Sequence, residues 1–133
     1  MARILVVDDD TAVRTAIQIV LERDGHEVVL VGNGRAGIAA VEEREFDVVI
    51  CDIFMPDMDG IETIQEFHQR APKVPVIAMS GFMFRDGHVP APDYLTLSTK
   101  LGAAHSLRKP FRPQELLAAV RACLPDSNLK AAG

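Results

Sequence analysis

The feature that most constrains the fold is a set of five apolar runs, each about as long as a β-strand. They span residues 3–7, 27–31, 47–51, 74–79 and 104–108. Apolar residues in these runs are nearly continuous instead of alternating with polar ones, which is typical of strands covered on both faces. The sequence therefore predicts an α/β fold in which helices lie above and below a parallel sheet.

The stretches between the runs carry apolar residues at helical spacing. The stripes are Val13, Ile17 and Val20; Ile38 and Val41; Ile61, Ile64 and Phe67; and Leu116, Leu117, Val120 and Leu124. Pro113 suits the first turn of the last helix, where its missing N–H loses no partner. Residues 81–92 are rich in glycine and proline and predict a loop, whereas Asp93 and Gly102 suit the start and end of a short helix. These elements make five strand–helix units with right-handed crossovers.

Length and charge bound the domain and its partners. The chain has 133 residues and a net charge of -5. We expect one domain at residues 1–124 and a short tail at 125–133. The negative charge disfavours direct binding to DNA or to an anionic membrane. The first residues do not resemble a signal peptide and no apolar run is long enough to span a bilayer, so we expect a cytoplasmic protein.

Polar side chains follow four of the five predicted strands. They are Asp8 and Asp9, Asp52, Ser80 and Lys109. Because the carboxyl ends of parallel strands share one edge of a sheet, we expect these side chains to converge. Two carboxylates about 4 Å apart repel by roughly 4 kcal/mol at an effective dielectric near 20, so either another group offsets the repulsion or the side chains point apart.

Oxygen ligands of this kind suit Mg²⁺, which typically takes one or two protein carboxylates and keeps water and phosphate in the rest of its shell. With a cation present, Asp52 can act as a nucleophile toward a phosphoryl group. Lys109 would neutralise charge on the phosphoryl oxygens, and Ser80 would donate a hydrogen bond to one of them. A solvated Lys109, or a Ser80 that only caps its strand, would be ordinary alone, but the combined set favours phosphoryl transfer.

Four motifs occur in order at these strand ends: ILVVDDD, VVICDIFMPDMDG, VIAMSG and LRKPF. With them the chain resembles the receiver domain of bacterial two-component response regulators, from residue 3 to about residue 124. The resemblance implies a flavodoxin-like (βα)5 three-layer sandwich with strand order 2-1-3-4-5. It also implies a signalling domain, not an enzyme, in which Asp52 accepts a phosphoryl group from a histidine kinase or phosphotransfer protein and switches a partner-binding surface.

The same resemblance assigns ligands to Mg²⁺, which are Asp8, Asp9, Asp52 and the backbone carbonyl of Phe54. We expect Asp9 to bind the cation directly, and Asp8 directly or through water. Ser80 and Lys109 contact the acyl phosphate, and the peptide bond between Lys109 and the proline that follows it is expected to be cis. Asp10, the third aspartate of the run, is predicted to cap the first helix.

Further partners are expected from the resemblance: an unidentified downstream protein, and a homodimer through the predicted fourth helix, fifth strand and fifth helix. The chain also departs from the family. Ser106 stands three residues before Lys109, where many receivers carry a switching aromatic, and the loop at 81–92 is longer than is usual. We hypothesise that Phe54 and Phe82 restrict water at the site and slow phosphate loss.

Short motifs compete with this interpretation. Residues 32–37, GNGRAG, match a dinucleotide-binding fingerprint, but they follow the second strand, which we expect at the sheet edge and not at the central switch point. Residues 57–60, DMDG, resemble a phosphatase motif and part of a calcium loop, but Met55 stands at the first calcium-ligand position. We interpret the first motif as a turn before a glycine-spaced helix and the second as a turn before a helix.

The remaining candidates for metal or redox chemistry are histidines and cysteines. The histidines are scattered without zinc spacing and are expected on the surface or in loops; they are His26, His68, His88 and His105. Cys51 and Cys123 lie far apart without metal-ligand or redox spacing. We expect both to be small core residues instead of a disulfide.

Overall fold

The computed structural model of the protein describes residues 2–55, 58–80 and 103–124. Five parallel strands form one sheet: β1 (Arg3–Val7), β2 (Glu27–Val31), β3 (Val48–Asp52), β4 (Val76–Ser80) and β5 (Ala103–Arg108). Their order in the sheet is β2-β1-β3-β4-β5. The predicted α/β class and the strand order 2-1-3-4-5 are therefore confirmed.

The described helices are α1 (Thr11–Arg23), α2 (Gly34–Glu43), α3 (Gly60–Arg70) and α4 (Pro113–Cys123). Helix α4 is the last of the predicted helices, and Pro113 is its first residue, as expected. The predicted loop at 81–92 with Phe82, the predicted helix that begins at Asp93, and the tail at 125–133 lie outside the described residues. Among the residues that the structure describes, no helix is long and apolar enough to cross a membrane.

The core consists of two layers, one on each face of the sheet. Every residue of β3 is buried, and its alternate side chains join opposite clusters, because successive side chains of a strand point to opposite faces. Val48 and Ile50 belong to the cluster that contains residues of α1 and α4. Val49 and Cys51 belong to the cluster that contains residues of α2 and α3. This arrangement explains the continuous apolar runs and confirms the three-layer sandwich.

The strand boundaries differ slightly from those predicted, and the reason is local hydrogen bonding. Strand β4 begins at Val76, two residues later than predicted, because the N–H of Val74 donates to the carbonyl of Ala71 (3.0 Å) in the turn after α3. Strand β3 extends to Asp52, one residue later than predicted. A two-residue antiparallel pair, Phe54–Met55 with Met58–Asp59, was not predicted and precedes α3.

The buried stripe of α1 is also displaced from the prediction. Ile17 and Leu21 are its buried residues, whereas Val13 and Val20 only pack at the margin of the same cluster. Helix α1 ends where Gly25 adopts a φ of 90°, a left-handed conformation that favours glycine. The chain can then turn directly into β2.

His26 agrees with the expectation of a loop position but is less exposed than the other described histidines. It lies in the turn between α1 and β2, but its side chain is only 6% exposed, and its Nδ1 accepts a hydrogen bond from the Ala2 N–H (3.1 Å). His68 and His105 are exposed, as expected. Both cysteines are free; Cys51 is buried and Cys123 is half-buried at the edge of the core.

Candidate functional site

Asp52 ends β3 at the centre of the sheet, between β1 and β4. The residue is 4% exposed. The chain beyond it is held to β4 by a hydrogen bond from the Ile53 N–H to the Met79 carbonyl (2.9 Å). A buried carboxylate needs partners that replace its lost hydration. The fold therefore places a rigidly held carboxylate at the edge of the sheet, where other groups must compensate its charge.

Asp8 is fully buried just beyond β1, the strand next to β3. Its N–H donates to the carbonyl of Val31 at the end of β2 (3.2 Å). Its side-chain Oδ1 accepts a hydrogen bond from the Asp10 N–H (2.9 Å), and its Oδ2 accepts one from Lys109 Nζ (2.7 Å). Both carboxylate oxygens of Asp8 thus already have a donor from the protein.

Lys109 lies just beyond β5 and precedes Pro110 through a cis peptide bond. Its ammonium contacts two carboxylates, Asp8 Oδ2 at 2.7 Å and Asp52 Oδ2 at 3.1 Å. Burial alone would lower the pKa of Lys109, but the hydrogen bonds and negative charges of Asp8 and Asp52 outweigh burial, and the pKa is raised. Lys109 therefore remains a cation at neutral pH and offsets part of the carboxylate repulsion.

Three carboxylates lie close together at this site. One oxygen from each of Asp8, Asp9 and Asp52 lies within 4.8 Å of the other two, and Asp9 is exposed to solvent. Three carboxylates against one ammonium leave the cluster negative, and all the ligand atoms are hard oxygens. These residues fit a divalent cation such as Mg²⁺, and the open side at Asp9 leaves room for water and phosphate in its shell.

The third aspartate of the run, Asp10, has a different role. Its carboxylate accepts hydrogen bonds from the N–H groups of Ala12 (2.9 Å) and Val13 (3.3 Å) at the start of α1. Asp10 is therefore the N-cap, as predicted. The acidic run divides into two residues of the carboxylate cluster and one helix cap.

Arg14 is a residue beside the site that the sequence analysis missed. Its Nη1 donates to the backbone carbonyl of Asp8 at 2.6 Å, and its Nη2 donates to Thr11 Oγ1 at 3.1 Å. An arginine in the second turn of a helix that follows an acidic run was the available signal. Arg14 is only six residues from Asp8, but spacing alone does not show that its side chain turns back to the end of β1.

The competing dinucleotide motif lies away from this cluster. It follows β2, which is an edge strand of the sheet. Asn33 is the N-cap of α2, and its side chain accepts a hydrogen bond from the Ala36 N–H (2.8 Å). The motif is a turn followed by a capped helix, as interpreted from the sequence.

Residues 4–121 match the family described as the response regulator receiver domain. The chain belongs to this family. It is thus a signalling domain of two-component systems, and a histidine kinase is the partner that such a domain implies. Membership rests on nearly the whole described chain and not on isolated motifs.

Individual relatives agree with this assignment. The transcriptional regulatory protein ZraR of Klebsiella oxytoca is 41% identical over 108 residues, which are 81% of this chain and 23% of ZraR. The alkaline phosphatase synthesis transcriptional regulatory protein PhoP of Bacillus subtilis is 31% identical over 129 residues, 97% of this chain and 51% of PhoP. This receiver domain therefore spans between about a quarter and about half of the length of these curated relatives.

Solved structures give the same result. The crystal structure of a response regulator receiver domain protein from Clostridium thermocellum has a TM-score of 0.84 and 31% sequence identity to this chain. The similarity covers 97% of this chain and 98% of that one. The structural match is therefore between whole receiver domains.

Two other predicted residues of the receiver site are described only by their backbone. Ser80 is the last residue of β4 and pairs with Arg108 of β5. Phe54 belongs to the short antiparallel pair and faces Asp59 there. Their side chains lie outside the described part of the structure. The roles of the Ser80 hydroxyl and the Phe54 carbonyl therefore stay predictions.

Ser106 marks a departure of this receiver domain from the common pattern. It is exposed in β5 and pairs with Ala78 of β4. A serine cannot supply the aromatic ring that many receivers carry there. That another element carries any switch between states stays a prediction.

Proposed function

We propose that Asp52 accepts a phosphoryl group from a phosphohistidine of a histidine kinase or phosphotransfer protein. The observation that carries the proposal is the buried Asp52 carboxylate, which lies 3.1 Å from the Lys109 ammonium within the acidic cluster. In this reaction a carboxylate oxygen of Asp52 forms a bond to phosphorus. The bond from phosphorus to the histidine nitrogen of the donor breaks, and that nitrogen keeps the electron pair.

The carboxylate cluster would hold Mg²⁺ through Asp8, Asp9 and Asp52, together with the backbone carbonyl of Phe54. When bound, Mg²⁺ supplies positive charge to the phosphoryl oxygens. Asp9 is exposed and suits direct ligation, whereas both carboxylate oxygens of Asp8 already accept hydrogen bonds, which favours a contact through water. In the unphosphorylated protein the Lys109 ammonium offsets the charge of the Asp52 carboxylate. After phosphoryl transfer the ammonium would offset the charge of the acyl phosphate, aided by the hydroxyl of Ser80.

The output of this receiver domain is proposed to be a protein contact. The net charge of -5 opposes direct binding of the chain to DNA, although the relatives named above are transcriptional regulators of greater length. The proposed downstream partner is a protein that recognises the phosphorylated state. We also propose a homodimer through β5, α4 and the predicted fourth helix. We propose that residues 1–124 form the receiver domain and that residues 125–133 form a tail. We also propose that the protein turns over no small-molecule substrate and that it is cytoplasmic.

The phosphoacceptor is tested by incubating the protein with acetyl phosphate or phosphoramidate and MgCl₂ and measuring intact mass. We expect the mass of one added phosphoryl group in the wild type, and no increase in Asp52→Asn or in wild type with EDTA. Asp10→Asn is the matched control, because asparagine caps a helix as well as aspartate and the variant removes one charge from the same acidic region. An unmodified wild type, or an Asp52→Asn protein that gains the same mass, contradicts the proposal.

A further inference from the structure

The guanidinium of Arg14 holds the backbone at the carboxylate cluster instead of pairing with a carboxylate. Its Nη1 lies 2.6 Å from the carbonyl oxygen of Asp8, and its Nη2 lies 3.1 Å from the hydroxyl of Thr11. A hydrogen bond from a charged donor to a carbonyl is stronger than one between neutral groups. Arg14 therefore ties the end of β1 to the start of α1.

Gly32 provides the space for this contact. A Cβ placed on Gly32 would lie 3.2 Å from Arg14 Nη1 and 3.8 Å from its Cζ. The backbone of Gly32 thus borders the guanidinium from the end of β2. A methyl group at this position would require the guanidinium to shift by a few tenths of an ångström.

The Asp8 carbonyl belongs to the peptide bond that joins Asp8 to Asp9. The N–H of Asp8 is already bound to the Val31 carbonyl, and its two carboxylate oxygens are bound to the Asp10 N–H and to Lys109. The hydrogen bond from Arg14 fixes the remaining polar atom of Asp8. It thereby fixes the plane of the following peptide, from which the exposed Asp9 carboxylate projects.

We propose that Arg14 is a positioning residue for the cation site of this receiver domain. It orients the peptide between Asp8 and Asp9 so that the Asp9 carboxylate faces the other two acids, and Gly32 leaves room for it to do so. The proposal rests on the proposed function only in that the cluster binds Mg²⁺. It assigns a role in the site to two residues that are not themselves proposed ligands of the cation.

The test compares Arg14→Met with Arg14→Lys, and with Arg23→Met as the matched control. Arg23 is an exposed arginine in the last turn of the same helix. Mg²⁺ alone is titrated into the metal-free protein by calorimetry, with no phosphoryl donor. We expect Arg14→Met to bind Mg²⁺ about tenfold more weakly than the wild type, as is usual when a partner of a metal ligand is lost. Arg14→Lys keeps one donor, so its Mg²⁺ affinity should lie between those of Arg14→Met and the wild type. Arg23→Met should bind Mg²⁺ as tightly as the wild type does.

Gly32→Ala gives an independent measurement through a residue 18 positions away in sequence. If the methyl group acts by displacing the guanidinium, Gly32→Ala weakens Mg²⁺ binding in the wild type but has no further effect in the Arg14→Met protein. Additive losses in the double variant would overturn the proposed connection. Thermal unfolding of each variant without Mg²⁺ shows whether the fold is retained.

A readout without metal separates positioning from general stability. Amide hydrogen exchange by NMR should become faster at Asp9 and Asp10 in Arg14→Met, while the amides of β3 stay protected. Equal Mg²⁺ affinity and equal exchange in Arg14→Met and wild type overturn this inference and leave the phosphoacceptor proposal standing. A wild-type protein that binds Mg²⁺ but gains no phosphoryl group overturns the proposed function and leaves this inference standing.

Discussion

The ammonium of Lys109 lies 2.7 Å from Asp8 Oδ2 and 101 positions from Asp8 in sequence. The same ammonium lies 3.1 Å from Asp52 Oδ2. One cation thus joins buried carboxylates from two adjacent strands. Because both acids lack full hydration, the ion pairs are part of the fold as well as part of the site.

We expect Lys109→Met to lower the free energy of unfolding by about 3 kcal/mol without Mg²⁺, because it leaves two buried carboxylates without their shared cation. Urea unfolding in EDTA measures this loss. Added MgCl₂ should stabilise the variant more than the wild type, since the ammonium no longer competes with Mg²⁺ for Asp8 and Asp52. An equal or smaller gain in the variant would contradict competition for these oxygens.

The raised pKa of Lys109 gives a second consequence for stability. A cation whose pKa is higher in the folded than in the unfolded protein stabilises the fold below its unfolded pKa. This contribution is lost as the pH rises through the folded pKa, which lies above 10.5. Wild-type protein should therefore lose stability in this alkaline range more steeply than Lys109→Met, as measured by urea unfolding across pH. Parallel profiles for the two proteins would argue against this assignment.

Asp10→Ala should lower the free energy of unfolding by about 1 kcal/mol, because the first turn of α1 loses its side-chain cap. In the wild-type protein the carboxylate of Asp10 accepts hydrogen bonds from two N–H groups in that turn. Asp10→Asn is the control and should remain close to the wild type, since asparagine accepts the same hydrogen bonds. Equal losses in the two variants would show that the charge and not the cap is responsible.

Gly37→Ala should destabilise the protein, although alanine is the better helix former by about 1 kcal/mol. A Cβ at Gly37 would lie 2.9 Å from Val7 Cγ2 and 3.0 Å from Phe67 Cζ. Helix α2 therefore approaches β1 and α3 too closely for a methyl group, and we expect a loss of about 1–3 kcal/mol. Phe67→Leu removes the ring, so Gly37→Ala should lower the free energy of unfolding by less in the Phe67→Leu protein than in the wild type. An equal loss in both proteins would show that the Phe67 ring is not the source of the steric clash.

The thiols should differ from a free cysteine in their reaction with iodoacetamide. Burial raises the pKa of Cys123 to about 11, and burial followed by the charges of Asp52 and Asp8 raises the pKa of Cys51. The thiolate is the reactive form. The rate of alkylation of Cys123 in the folded protein should therefore increase with pH up to about 11 instead of levelling off near 9. Cys51 should react only after unfolding. Peptide mass spectrometry measures both reactions. Rapid labelling of Cys51 in the native state would contradict its burial.

Much of this fold was predictable because its cause is local. The continuous apolar run of β3 predicts a strand covered on both faces, and Asp10 is an N-cap because its side chain reaches N–H groups two and three residues away. The gathering of acids at one edge follows from the direction of parallel strands. The position of Asp52 at a strand end among acids predicts a nucleophile, and the family resemblance implies that it is the phosphoacceptor.

Other features depend on partners that are distant in sequence. The burial of His26 depends on the N–H of Ala2, 24 residues away, and the need for glycine at position 37 depends on Val7 and Phe67. The partner of Arg14 is only six residues away, but the role of Arg14 depends on which way its side chain turns at the start of α1. None of these can be read from spacing, because helical and strand periods give the face of an element but not what the opposing element presents.

The sequence by itself determined the five strands of the sheet, the four described helices and the set of acids, since these follow from periodicity, capping and chain direction. Only the tertiary structure decided that Lys109 forms ion pairs with both Asp8 and Asp52, and that Arg14 donates a hydrogen bond to the carbonyl of Asp8. Hydrogen bonds and ion pairs require atoms to meet within about 3 Å. That distance is set by how the whole chain packs, and no local pattern specifies it.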